Sequence, residues 1–516
     1  MPGVNYPAYD WIARHAARQP GKAACIDVHS HRTLSYAAMD QRARQLAAWL
    51  TKDCGLARGD RVAVLSQNTV EHLVVHNACV KAGAINVPLN WRLTARELRD
   101  QLANAAPRVL IHEDQYAETA RAAAPDASLR LVDWGADGTG GEYGTSVAAA
   151  PADFAPVAAT LADACAILYT SGATGQPKGV VITHAMLFFN VVNYGMIVRV
   201  GQSSVQLCSL PLFHTGGLSQ GSSPALHAGG TVVVSRRSDP DYVLDLLDDP
   251  ALGITHMMGV PASYQMLSQH PRFDSVDLSR IVAAAVGGSP VPLALHHRWR
   301  ARGVAFQEGY GMTESGPSVY ISALDQPLEK VGSCGKPVVH AESRLVTPDG
   351  RDANTGEVGE VWVRGPSVTP GYWNNPAATA LAFSDGWLKS GDAARRDADG
   401  YYYIVDRWKD MYISGGENVY PAEVENVLYE LPEVAEVAVI GVADERWGEV
   451  GCAAIVLRPA VTLGADQVLL HCDGRLARYK IPRHVVFLDG LPHNEVGKIV
   501  KGELRQRLGA GALVRK

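Results

Sequence analysis

No C-x-x-C pair occurs among the eight cysteines, Cys25, Cys54, Cys79, Cys165, Cys208, Cys334, Cys452 and Cys472, which are spread along the chain. That absence excludes the common zinc and dithiol redox motifs, and scattered thiols in a chain of this size point to a reducing compartment. An excess of positive charge is also missing. The chain has 47 Lys and Arg against 53 Asp and Glu, a formal net charge of -6, so no basic footprint for nucleic acid or anionic lipid is present. The start, Met1-Pro-Gly-Val-Asn-Tyr, has no basic region followed by an apolar core; no secretory leader is expected, and the expected location is cytoplasmic. One run, Val180 to Val198, is free of Asp, Glu, Lys and Arg, but it contains Thr183, His184, Asn190, Asn193 and Gly195. A buried core helix is expected there, not a transmembrane segment. No internal repeat or low-complexity tract is evident.

What is present is the material of an ordinary globular protein, 47% hydrophobic and 19% charged. At 516 residues the chain is too long for one core, and its 50 glycines and 29 prolines point to many tight loops. The first 115 or so residues alternate strand-like and helix-like patterns. A helix is expected from Ser35, a strand at Arg61-Val-Ala-Val-Leu, a helix over Val70 to Ala82, a strand at Ile85 to Leu89, a helix from Thr94 and a strand at Arg108 to His112. Strands separated by single helices imply a parallel sheet covered on both faces. Trp134 to about Ala162, rich in Gly, Ala, Pro, Asp and Thr, reads as a surface excursion. Toward the C-terminus Pro421 suits the first turn of a helix, with Val424, Val427, Leu428 and Leu431 on one face. Strands follow at Val437 to Ile440, Cys452 to Leu457 and His484 to Leu488, with a last helix from about Lys501. The expected class is α/β: a large N-terminal domain of layered α/β subdomains and a small C-terminal α+β domain. The boundaries are expected at 1–406, 407–410 and 411–516, the middle segment being a hinge.

The chemistry begins where the apolar strand Ala166-Ile-Leu-Tyr runs into Thr170-Ser-Gly-Ala-Thr-Gly-Gln-Pro-Lys-Gly. Small residues let backbone approach a polyphosphate, successive N–H groups and hydroxyls donate to its oxygens, and Lys178 adds charge. It is not a P-loop, which needs Ser or Thr directly after Gly-Lys. Tyr169 to Gly179 resembles the signature loop of the adenylate-forming superfamily, which includes acyl-CoA and aryl-CoA synthetases, firefly luciferase and peptide-synthetase adenylation domains. The resemblance continues in order from about Leu34 to Lys501. It is carried by Leu210-Pro-Leu-Phe-His-Thr, Glu308-Gly-Tyr-Gly-Met-Thr-Glu, Gly356-Glu-Val-Gly-Glu, Lys389-Ser-Gly-Asp, Asp406-Arg-Trp-Lys-Asp, Gly415-Gly-Glu-Asn and Leu491-Pro-His-Asn-Glu-Val-Gly-Lys.

The resemblance implies a site, residue by residue. Thr170, Ser171, Gly172, Thr174, Gly175 and Lys178 hold the ATP phosphates. Glu314, assisted by Thr170, ligates Mg2+. Tyr310 lies against adenine and Thr313 near the α-phosphate, within the run from Glu308 and Gly309. Gly287, Gly288 and Ser289 line the adenine and acyl pockets, and Asp392 and Arg407 reach the ribose. Lys498 bridges the attacking carboxylate and the α-phosphate. Lys409 is the hinge residue of a mobile C-terminal domain, and Gly415 and Gly416 line a tunnel for the thiol arm. Read singly, Glu314 is a helix-start carboxylate, Tyr310 a half-buried aromatic and Lys498 a surface charge. Ala173 departs from the family pattern, which often has Ser or Thr there, removing one phosphate-facing hydroxyl.

The implied reaction is ATP-dependent ligation of a small-molecule carboxylic acid to coenzyme A through an acyl adenylate. His214 resembles the gate beside the acyl pocket, and Gly216 and Gly217 are expected to leave volume open, with Met257, Met258 and Val260 as added lining. Medium- or long-chain fatty acids are therefore favoured. The alternatives are an aryl or phenylpropanoid acid, or a stand-alone adenylation enzyme that loads a separate carrier protein. A non-catalytic nucleotide-binding regulator is disfavoured by the presence of Lys498, Glu314 and Asp392. A homodimer is compatible with the sequence.

Overall fold

The computed structural model describes residues 6–135, 138–170, 177–288, 291–407, 410–414, 417–444, 446–494 and 499–509. Two large sheets are built from the N-terminal part. The six-stranded sheet runs Arg130–Asp133, Val109–His112, Arg61–Leu65, Ile85–Leu89, Ala164–Thr170 and Lys178–Thr183. Its first five strands are parallel, and the last pairs antiparallel. The nine-stranded sheet has a parallel centre over Phe306–Tyr310, Ala283–Gly287, His256–Gly259, Val205–Cys208, Thr231–Val234 and Ala23–Asp27, with short antiparallel strands at both edges. The expected parallel α/β arrangement is therefore present.

Local signals explain the element ends. Ser35 and Thr94 cap their helices, Thr94 in a reciprocal box with Glu97. The helix Val70–Ala82 stops at Gly83, whose φ of 64° is left-handed. This helix is buried on almost every side, including Glu71, His72, His76 and Lys81. Glu71 is neutralised by Arg32 and Arg42 at 2.7 and 2.6 Å and accepts the Tyr143 hydroxyl at 2.6 Å. Lys81 sits between Asp10 and Asp40. Such pairs are stable only while every member is satisfied.

Two expectations are corrected. Val180 to Val198 is not one helix: Lys178–Thr183 is a strand, and the helix is His184–Val198. The β-branched run pairs with Ala164–Thr170, and Thr183 then caps the helix through the Met186 amide. Trp134 to Ala162 is not a surface excursion throughout. Trp134 and Tyr143 are fully buried, and Gly141–Ala149 is a helix anchored by the Tyr143–Glu71 bond.

A third sheet is antiparallel, with Glu342–Val346, Val358–Arg364, Trp387–Arg396, Phe383–Ser384 and Tyr402–Arg407. The fourth begins at Tyr412 and carries the C-terminal strands Val434–Asp444, Gly448–Leu457 and His484–Phe487, with helices Pro421–Leu428, Ala465–Cys472 and Lys501–Gly509. Near the junction Asp406 accepts the Ala422 amide at 2.9 Å and Arg505 pairs with Asp410 at 2.9 Å. Among the described residues no helix is long and apolar enough to cross a membrane.

Burial lowers the His72 pKa to about 3 and, with His184 nearby, that of His76 to about 4. Both lie below the unfolded histidine value of about 6.5, so the unfolded chain binds more protons between those limits. Stability is then full above pH 6.5 and falls as the pH drops. The thermal midpoint is expected to decline between about pH 6.5 and 5; a flat profile there would contradict the buried neutral assignment.

Candidate active site

The hairpin formed by Ala164–Thr170 and Lys178–Thr183 brings Thr170 opposite Lys178. The Tyr169 hydroxyl ties this hairpin to the helix Ala95–Ala105, donating to Asn104 at 2.7 Å. Gly179 is required here, because a Cβ would lie 2.8 Å from Ile167 and 3.3 Å from the Tyr169 ring. The phosphate-loop residues Ser171, Gly172, Thr174 and Gly175, with Ala173, lie outside the described residues, as do Ser289, Lys409, Gly415, Gly416 and Lys498. Both stems of the loop are described, and Lys178 Nζ lies 5.0 Å from the Tyr372 ring centre.

Tyr372 connects this hairpin to Glu314. Its segment pairs with the strand Lys178–Thr183 through the Val180–Tyr372 bridge and the Trp373 amide, which donates to Gly179 O at 2.7 Å. The Tyr372 hydroxyl donates to Glu314 Oε1 at 2.8 Å, and the Thr369 amide donates to Glu314 O at 2.8 Å. Glu314 is buried at 6% exposure in the short turn Thr313–Ser315. Among the described residues its other carboxylate oxygen receives no hydrogen bond. Mg2+ bound with a nucleotide takes one or two carboxylates and fills its shell with phosphate and water oxygens. A buried, pre-oriented carboxylate beside the loop stem fits that requirement.

On the far side of the same segment, the strand Phe306–Tyr310 ends with Tyr310 half-buried, its hydroxyl donating to Asp392 Oδ2 at 2.7 Å. Burial, then the Asp392 charge, push the Tyr310 phenol well above its ordinary value, so it stays a donor. Tyr310 stacks on Tyr320 at 5.6 Å and Tyr320 on Tyr402 at 4.2 Å, which fixes the ring plane. Asp392 pairs in register with Arg407, whose backbone ends the strand Tyr402–Arg407. The preceding Gly391 has a φ of 72°, and its amide donates to Glu360 at 2.9 Å. Glu308 is occupied elsewhere: its carboxylate lies 2.8 Å from His296 Nε2 and 3.2 Å from the Gly332 amide. Gly287 packs against Gly309, where a Cβ would lie 2.9 Å from the Gly309 carbonyl oxygen, and Gly288 turns the chain at a φ of 86°.

His214 opens a π-helix, Gly216–Ser222, a widened turn often found at functional sites. The Gly216 amide donates to His214 Nδ1 at 3.3 Å, so the neutral ring carries its proton on Nε2. Burial lowers the His214 pKa to about 4, leaving the ring neutral at physiological pH. The paired glycines do not open volume for a ligand. A Cβ on Gly217 would lie 2.2 Å from the Pro211 carbonyl oxygen, and one on Gly216 would lie 3.0 Å from Leu210 Cδ1. Backbone packs onto Gly217, and the Leu210 side chain lies against Gly216. Gly217→Ala is expected to destabilise the protein by roughly 1–3 kcal/mol in a denaturant melt; an unchanged midpoint would contradict this packing.

Sequence reading missed Tyr372, the partner of Glu314. It lies in the turn-like run Thr369-Pro-Gly-Tyr-Trp, where no spacing rule points to a side chain 58 residues away.

Comparison with known proteins shows which family the chain resembles over its length. A family model described as AMP-binding enzyme matches residues 12–373, and one described as AMP-binding enzyme C-terminal domain matches residues 423–498. A feruloyl-CoA synthase from Amycolatopsis is 43% identical over 499 residues, covering 97% of this chain and 98% of the relative. An indoleacetate–CoA ligase from Aromatoleum aromaticum is 40% identical over 503 residues, covering 96% and 97%. The crystal structure of ATP-bound MatB from Rhodopseudomonas palustris superposes with a TM-score of 0.91 at 34% identity, covering 97% and 99% of the two chains.

Proposed function

We propose that this chain, an AMP-forming acid–CoA ligase that belongs to the AMP-binding enzyme family, acts on aryl acids in preference to fatty acids. Its substrates are a carboxylic acid, ATP and coenzyme A. The observation that carries the aromatic preference is the similarity, at 43% and 40% identity over nearly the whole chain, to two relatives named for aryl acids. The fatty-acid preference expected from Gly216 and Gly217 loses its basis, because backbone fills the space beside Gly217 and the Leu210 side chain lies against Gly216.

In the first half-reaction a carboxylate oxygen attacks the α-phosphorus and pyrophosphate leaves. Two anions must approach, so the site has to supply donors and cations in fixed positions. Thr170 and Lys178, with Ser171, Gly172, Thr174 and Gly175, hold the departing phosphates. Glu314 and Thr170 would hold Mg2+, which would supply neutralisation of phosphate charge. Tyr372 keeps the Glu314 carboxylate aimed. Tyr310 and Thr313 contact the base and α-phosphate, and Asp392 and Arg407 take the ribose hydroxyls. Lys498 brings its charge to the carboxylate and the α-phosphate.

In the second half-reaction the thiol sulfur of coenzyme A attacks the acyl carbonyl and AMP leaves. The C-terminal unit turns about Lys409, and Gly415 and Gly416 admit the thiol arm.

The test is a staged incubation. AMP is expected to form only when ATP, Mg2+ and an aryl acid are all present, and free coenzyme A is expected to discharge the adenylate as a thioester. Discharge by a carrier-protein thiol but not by coenzyme A would overturn the ligase assignment for the second step.

A further inference from the structure

The hairpin that carries Thr170 and Lys178 has a second end, and a cavity lies there that the proposed nucleotide contacts leave unused. Asp163 precedes the strand Ala164–Thr170, His184 follows the strand Lys178–Thr183, and the His184 amide donates to Asp163 O at 3.0 Å. Leu161 and His184 line a cavity of about 300 Å³. Its other walls come from the N-terminal segment and the helices Val70–Ala82 and Ser223–Ala228. The six residues of the strand Lys178–Thr183 put it about 20 Å from Lys178.

The walls are apolar and uncharged. Trp11, Ile12, Leu187, Phe188 and Leu226 supply hydrophobic surface, and among the described residues no Asp, Glu, Lys or Arg lines the space. Tyr6 and Tyr9, both largely exposed, stand at the mouth. Two polar groups on the walls are already satisfied: Asn77 Nδ2 donates to Leu73 O at 2.8 Å, and the Ser223 hydroxyl to Leu218 O at 2.6 Å. His76 differs from them. It lines the cavity at 7% exposure, and Asn86 Nδ2, which can only donate, lies 3.5 Å from its Nδ1. The ring therefore carries its proton on Nε2, and that N–H meets no acceptor among the described residues. Burial lowers the pKa of His76 to about 4 and also lowers that of His184, so both rings are neutral at physiological pH.

The geometry points to this cavity as a second small-molecule site, which takes an uncharged molecule of two fused rings bearing a hydrogen-bond acceptor, such as an aromatic lactone or ketone. Size sets the ring count. An apolar cavity of about 150 Å³ holds one benzene, and this one has about twice that volume. Charge sets the class. A carboxylate or a phosphate placed here would lose its hydration with no cation to replace it, so neither the acid substrate nor ATP fits. The acceptor answers the His76 N–H, a buried donor that otherwise goes without a partner. What binds here is thus independent of which acid the enzyme activates.

The test titrates coumarin, an uncharged two-ring lactone, into the full chain by calorimetry. Saturable binding at one site is expected, with a Kd of about 10–100 μM. Ala8 lines the cavity from a half-buried position. Ala8→Trp is therefore expected to fill the space and weaken binding by about tenfold or more, with acid-dependent AMP formation within about twofold of wild type. His76→Leu is expected to weaken binding by about three- to tenfold, and His76→Gln, which keeps an N–H near the Nε2 position, to recover most of it. Thermal melts without coumarin check that each variant is folded. Should Ala8→Trp fail to fold, Val80→Phe fills the same cavity from the helix Val70–Ala82. No saturable binding to the wild type would overturn the site. So would full affinity in a folded cavity-filling variant, because coumarin would then lie elsewhere. Equal affinity in wild type and His76→Leu would overturn the assigned ligand class.

Discussion

Replacing Lys498 with alanine is expected to reduce acid-dependent pyrophosphate release by about 10²–10³-fold, the scale on which one preorganised charge at a reacting centre acts. Formation of the thioester from preformed aryl adenylate and coenzyme A is expected to stay within a few-fold of wild type. The asymmetry follows from the chemistry. Only the first half-reaction forces a carboxylate onto a triphosphate, and only there does a lysine offset repulsion between two anions. The residue stands in Asn494-Glu-Val-Gly-Lys near the C-terminus, far in sequence from the phosphate loop. In the proposed mechanism its delivery requires the C-terminal unit to dock. Rapid mixing with isolated adenylate separates the two steps. Equal loss in both would contradict a unit that serves the half-reactions in turn.

Glu314→Gln is expected to have an effect of similar size, with a different signature. The substitution keeps an oxygen within reach of the Tyr372 hydroxyl, at 2.8 Å in the wild type, but removes the charge proposed to hold a divalent cation. Adenylation should fall by about 10²-fold or more, and the Mg2+ concentration for half-maximal rate should rise. Tyr372→Phe should leave the carboxylate charge in place and lower its precision, at a cost of about tenfold or less. An unchanged Mg2+ dependence in Glu314→Gln would remove Glu314 from that role, and full activity in EDTA would remove the metal from the reaction.

The residues that declared themselves in the sequence are those whose role is local. The helix Val70–Ala82 and the strands on either side were legible because a left-handed Gly83 and buried β-branched runs mark their ends. Thr94 with Glu97 announced the next helix. Val180 to Val198 misled because an uncharged apolar run has no period of its own. Only the pairing of Lys178–Thr183 with Ala164–Thr170 reveals a strand there. Tyr143 was hidden in an alanine- and glycine-rich stretch, and its importance lies in Glu71, 72 residues earlier.

The site divides in the same way. Tyr310, Glu314 and Asp392 stand in motifs, so residue type and order were enough to nominate them. What orients them was not legible. Tyr372 aims Glu314, Tyr320 and Tyr402 set the Tyr310 plane, and Glu360 holds the turn before Asp392. Glu360 and Tyr402 are placed by the antiparallel sheet over Glu342–Arg407, Tyr320 by its pairing with Tyr310, and Tyr372 by its bridge to Val180, pairings that no short-range pattern encodes. Gly216 and Gly217 carry the sharpest lesson. A missing side chain in sequence suggested room for substrate, whereas in the fold the backbone of Leu210 and Pro211 packs onto Gly217 and the Leu210 side chain lies against Gly216.

The most direct measurement is a competition in one vessel. The protein is supplied with ATP, Mg2+, coenzyme A and an equimolar mixture of hydroxycinnamic, indoleacetic and long-chain fatty acids, and the thioesters are identified by mass at low conversion. An aryl-CoA product dominating the mixture, with one AMP formed per thioester, is the predicted result. A mixture dominated by fatty acyl-CoA would contradict the proposed acid, and AMP formation without any CoA thioester would contradict the ligase assignment.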